Sequence, residues 1–169
     1  AEELDPNETH KLPPSELPAE DVAELRNLRL LLVVMFHCQC VDKDFDDSTP
    51  GELHPFVKAA INVVAQMDVG HRHYASACEV VGDYFWHRLA TAKSDELQAY
   101  RRSALNFFTH APSRSNYALD LKTNTTADMT NVTEVPQTIP VNPAAISDSL
   151  EKTFNAALPA IQKYQLFAV

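Results

Sequence analysis

Two short segments hold the densest grouping of metal-ligating side chains, His37-Cys38-Gln39-Cys40 and His71-Arg72-His73. Zinc takes tetrahedral sets of cysteine and histidine, so Cys38, Cys40, His71 and His73 are the candidate metal ligands that residue type selects. Spacing argues against the set. Structural zinc pairs leave two or more residues between ligands, and residues two apart on a helix point about 200° away from each other. Cys38 and Cys40 could chelate one ion only where a helix has ended. The plainer alternative is two buried core cysteines and a histidine pair near a helix start.

Other chemistries leave fainter traces. Asp42, Asp44 and Asp46 alternate as at the start of an EF-hand loop, but the central glycine is absent and Leu53 stands where a bidentate acid belongs. A solvated acidic loop over residues 42–50 explains them better. No Glu-X-X-His occurs, so a carboxylate-bridged di-iron bundle is not indicated; Asp68/His71 and Asp83/His87 read as ordinary helical side-chain pairs. No Gly-X-Ser-X-Gly elbow is present, and Cys78 lies on an apolar stripe. The chain holds three glycines where average usage of ~7% gives about a dozen, too few for a dinucleotide or P-loop cradle. Together these absences argue against an enzyme, and no organic cofactor is implied.

Bases and aromatics interleave in the middle of the chain: His71 to Tyr74, Tyr84 to Arg88, Tyr100 to Arg102, and Phe107 to Tyr117. Aromatics stack on nucleobases and arginine pairs with phosphate, which makes Arg72, Arg88, Arg101, Arg102 and Arg114 candidate nucleic-acid-binding residues. The competing reading places Phe85 and Phe108 in the core and the bases on solvated helix faces. The net charge of −9 opposes binding to polyanions; 13 of the 23 acids fall in residues 1–57, leaving the middle slightly basic.

The elements that must position these residues are helical. Pro6, Pro13, Pro14 and Pro18 make residues 1–19 an extended arm. Pro18 with Glu20 and Asp21 starts a first helix reaching about Cys40, apolar on every side from Leu30 to Phe36 and therefore expected at the centre of the fold. No proline occurs between Pro55 and Pro112. Leu53, Val57, Ala60, Val64 and Met67 form one stripe, stopped by Gly70. Tyr74, Cys78, Val81, Phe85 and Leu89 form the next. Ser94 caps a helix carrying Leu97, Tyr100, Ala104 and Phe108. Residues 111–142 read as irregular, with short possible strands at Tyr117–Leu121 and Thr133–Val135. A last helix begins at Asn142-Pro143, with Ile146, Leu150, Phe154, Leu158 and Ile161 inward, and ends or kinks at Pro159.

The expectation is a single, mainly α domain over residues 1–169: a bundle of about five helices with an extended N-terminal arm, a helical core over 20–110, a long irregular segment, and a C-terminal helix and tail over 143–169. Arms and tails of this kind are often ordered by neighbouring subunits. The leading functional expectation is therefore a self-associating structural subunit, of coat or shell type, using the arm and the C-terminal segment. A nucleic-acid-binding helical module and a metal-dependent enzyme or sensor are the alternatives. The longest apolar run falls far short of a membrane span, so the chain reads as soluble. Three cysteines make no disulfide framework and lean towards a reducing compartment, against which stand Asn-X-Thr sequons at Asn7, Asn124 and Asn131.

Overall fold

The computed structural model describes residues 18–44, 55–89, 94–123 and 145–166. These are helices joined by turns, with no strand among them. The elements are α1 (Ala19–Asp44), α2 (Pro55–Val64), α3 (Arg72–Arg88), α4 (Ser94–Phe108), a short 3-10 turn (Pro112–Arg114), α5 (Ser115–Thr123) and α6 (Ala145–Lys163). The mainly helical expectation holds. The N-terminal arm through residue 17 and the segment 124–144, including the suggested strand at Thr133–Val135, lie outside the described residues.

α1 starts where the sequence marks it. The Pro18 carbonyl accepts from the Asp21 and Val22 amides, and Glu20 and Asp21 sit in the first turn, facing the positive end of the helix dipole. The helix continues past Cys40 to Asp44, so Asp42 and Asp44 belong to a helix and not to a loop. Its apolar half is also not buried all round. Leu28, Leu31, Val34, Met35 and Cys38 are buried, while Val33 is 40% and Phe36 60% exposed. α2, α3 and α6 pack on α1 from one side and leave this outer face without a described neighbour.

α3 is the central element, packed against α1, α2, α4 and α6. From Val80 to His87 every residue is buried, including Phe85 and Trp86. Fully burying side chains of this size contributes roughly 1.5–3 kcal/mol each, so this segment anchors the core. Gly82 lets α4 approach closely: a Cβ there would stand 2.5 Å from the buried Phe108 ring. The predicted stripes on α2, α3 and α4 are the buried ones, with Tyr74 and Tyr100 at the margin and Leu53 outside the described residues. Gly70 takes a different part from the expected helix stop. α2 ends at Val64, and Gly70, at φ 90°, turns the chain into α3 through a conformation that side-chain-bearing residues rarely adopt.

Two expectations for the C-terminal third are corrected. Tyr117–Leu121 is part of helix α5 and not a strand; Ala118 and Leu121, three residues apart, are its buried apolar positions, with Asp120 buried beside them. α6 runs through Pro159 to Lys163, and its inward face is Ser149, Thr153, Ala157, Ala160 and Ile161. Phe154, expected inside, is 37% exposed. The helix is rotated because the Ser149 hydroxyl donates to the buried Asp83 carboxylate of α3 at 2.5 Å. The small residues of this face then allow close contact with α3.

Candidate metal centre at the start of α3

His71 is the N-cap of α3. Its backbone is extended (φ −74°, ψ 143°), and its Nδ1 accepts the His73 amide at 3.1 Å. Serine, threonine or an acid-derived side chain usually does this. A ring nitrogen that accepts a hydrogen bond carries no proton, so the neutral His71 ring holds its proton on Nε2. That nitrogen lies 3.0 Å from Oε2 of Glu24 on α1. His73 Nε2 lies 2.9 Å from the other oxygen, Oε1, and Arg72 donates Nη2 to the same atom. One carboxylate thus gathers three consecutive side chains from the neighbouring helix. The two imidazole rings lie 5.1 Å apart between centroids.

The register between α1 and α3 that allows this is held one turn further along. Asn27 is fully buried and clamps Asp68 from both ends: Nδ2 donates to the Asp68 carboxylate at 2.8 Å, and Oδ1 accepts the Asp68 amide at 2.9 Å. Arg26 adds bonds to the Asp68 carboxylate at 3.0 Å and to the Gln66 carbonyl at 2.6 Å. Arg26 and Asn27 of α1 therefore grip the turn between α2 and α3, and Gly70 delivers His71 onto Glu24.

Protonation states follow from the surroundings. Burial pushes the Glu24 carboxyl up, but the hydrogen bonds from Arg72 and His73 outweigh it and leave the group below the usual range. Burial pulls His73 below the ordinary 6.5, and the opposing pull of Glu24 does not restore it. His73 is only 6% exposed. At neutral pH the cluster holds an ionised carboxylate beside a neutral His73 imidazole, the forms in which these side chains bind metals. The ligand atoms of Glu24, His71 and His73 all lie within 4.8 Å of one another. An edge of a tetrahedral zinc site with bonds of 2.0–2.1 Å is about 3.4 Å, so side-chain adjustment alone can close the set.

A cleft of about 580 Å³ opens beside the cluster, walled by Glu24, His71 and Arg72 on one side and by Pro159, Ala160, Lys163 and Tyr164 of α6 on the other. The Lys163 ammonium and the Tyr164 hydroxyl both donate to Asp21 Oδ1, at 3.1 and 2.9 Å, and tie the end of α6 to the start of α1.

The structure brings together only half of the expected metal set. His71 and His73 meet, but Cys38 lies fourteen residues beyond Glu24 on the same helix, about 21 Å along its axis. Its thiol is buried and pushed up to about 12. α1 does not end between Cys38 and Cys40, so the helix end that the pair would need is not there; the Cys40 side chain lies outside the described residues. Glu24 had no mark in the sequence. It is one acid among many on an acidic stretch, 47 residues before His71, and only the α1–α3 packing selects it.

The five candidate nucleic-acid arginines do not form one free surface. Arg72 is engaged by Glu24 and Arg101 is buried within α4. Arg114 is bound by Asp83 through two hydrogen bonds of 2.8 Å and by Glu79 at 3.0 Å. Arg88 lies over the Tyr100 ring at 5.9 Å, and Arg102 is exposed. Compared with protein-family models, curated proteins and solved structures, the chain matches none.

Proposed function

We propose that this chain is a metal-dependent sensor or enzyme of the helical class, holding one divalent transition ion between Glu24, His71 and His73. The observation that supports this reading is the convergence of two imidazoles and one carboxylate, from two helices, within 4.8 Å. Two histidines and a glutamate are a ligand set that zinc takes when its fourth position stays open. Glu24 and His71 also line the cleft, from which a fourth ligand could approach.

Four interactions oppose the ion: it displaces the contacts of His71 Nε2 and His73 Nε2 with the Glu24 oxygens, and it disturbs two more. A metal on His71 Nε2 moves the ring proton to Nδ1 and so breaks the N-cap bond to His73, a loss of about 0.5–2 kcal/mol. Glu24 also releases Arg72, whose side chain is 70% exposed, and ion pairs of that kind contribute roughly 0–1 kcal/mol. A micromolar metal site is worth about 8 kcal/mol. Coordination must exceed these losses by that amount for the site to reach micromolar affinity.

Zinc titrated into the chelator-stripped chain, followed by calorimetry and elemental analysis, should give one ion per chain with micromolar or tighter affinity. Glu24→Gln and His73→Ala should each weaken binding at least tenfold, while Cys38→Ala leaves it unchanged. No uptake, or uptake indifferent to the first two substitutions, would reject the reading.

A second reading, a self-associating structural subunit, is favoured by the outward Val33 and Phe36 of α1. Large exposed apolar groups close together on one helix suit a protein contact.

A further inference from the structure

Resting on the metal reading, we propose that the cleft beside Glu24 and His71 is a binding site for a small monocarboxylic acid with an apolar body. Its carboxylate would lie between the ion and Arg72, and its body against Pro159, Ala160 and the Tyr164 ring.

Three observations carry this. First, Arg72 is held by the same Glu24 oxygen that faces His73 Nε2, and it lines the cleft. When that oxygen turns to a metal, the guanidinium loses its acceptor without leaving the cleft wall. It becomes a planar donor fork next to the ion's open position, the geometry that carboxylates match. Second, the charges of the wall select the ligand's charge. Glu20, Asp21 and Glu24 are opposed by Arg72 and Lys163, and a divalent ion leaves the lining with one positive charge in excess. That excess balances a monoanion and disfavours a dianionic phosphate. Third, the α6 side of the cleft offers Pro159, Ala160 and Tyr164, with Lys163 occupied by Asp21, and about 580 Å³ lies within the range of small-molecule sites.

Benzoate is a suitable probe. Calorimetry on the full chain should show it binding the zinc-loaded form at least tenfold more tightly than the chelator-stripped form. Arg72→Ala should lower that affinity at least tenfold while one zinc per chain is retained, since Arg72 is not a ligand and its exposed side chain supports no core. Inorganic phosphate should bind more weakly than benzoate. Zinc uptake without benzoate binding, benzoate binding indifferent to Arg72, or a preference for phosphate each overturns the carboxylate site while leaving the metal centre standing. Failure of zinc uptake itself overturns both.

Discussion

At the scale of single residues, the most demanding group is Asp83 on α3. Its side chain is 4% exposed and accepts three hydrogen bonds, two from Arg114 and one from Ser149. Arg114 in turn is held above its ordinary range by the bonds to Asp83, despite burial. Breaking a buried pair from one side leaves an uncompensated charge, which costs about 3–5 kcal/mol. Arg114→Ala should therefore lower the unfolding free energy by that order in a denaturant titration, and the double change Arg114→Ala with Asp83→Asn should recover part of the loss. A loss under 1 kcal/mol for the single change would contradict the assignment.

The histidines set a second expectation at this scale. Burial lowers both His73 and His87 below the ordinary 6.5. The unfolded chain then takes up protons on these side chains before the folded one does. Stability contributed by the neutral rings is complete above about pH 6.5 and declines as pH falls below it. The melting temperature of the metal-free chain should drop between pH 6.5 and 5, ahead of the carboxylate range, and the drop should shrink in His73→Gln. Zinc binding should weaken over the same interval, because protons compete for the imidazoles.

At the scale of elements, the contact between α3 and α4 depends on the missing side chain at Gly82. A methyl group there meets Phe108 at 2.5 and 2.6 Å, and Phe108 is 1% exposed with no room to withdraw. Alanine would favour the helix locally by about 1 kcal/mol, but overpacking a filled core costs about 1–3 kcal/mol. Gly82→Ala should come out destabilising by thermal melting, the reverse of the helix-propensity order. Paired with Phe108→Leu, the penalty should fall. The same reasoning explains α6. Periodicity alone put Phe154 inside, yet a hydroxyl reaching Asp83 and a face of small residues turned the helix so that Phe154 points outward.

At the scale of the whole molecule, α1 contributes to two separate surfaces. Its first turns carry Glu24 and Asp21 at the cleft, and its second half carries the outward Val33 and Phe36. If that outer face makes a contact between copies, Phe36→Glu should shift sedimentation towards the monomer while leaving zinc stoichiometry intact. A monomer across a wide concentration range for the unaltered chain would remove the self-association reading. No described helix is long and apolar enough to cross a membrane.

Much of the architecture was legible in advance because helices announce themselves locally. Pro18 with two acids marked the start of α1, the proline-free span marked α2 to α4, and apolar spacing named most of the buried face of each. These signals depend on neighbours within a few residues, where chain geometry is set by a 3.6-residue period. Helix rotation and length were less secure, as α5 and α6 show, because polar groups such as Ser149 are drawn inward by partners far along the chain. His71 and His73 could be picked out as ligands by type. Glu24 could not, since its selection depends on Asn27 gripping Asp68 and Gly70 turning the chain, contacts spanning more than forty residues. Residue chemistry was thus readable from sequence alone, whereas convergence in space was decided by tertiary packing, which no local pattern encodes.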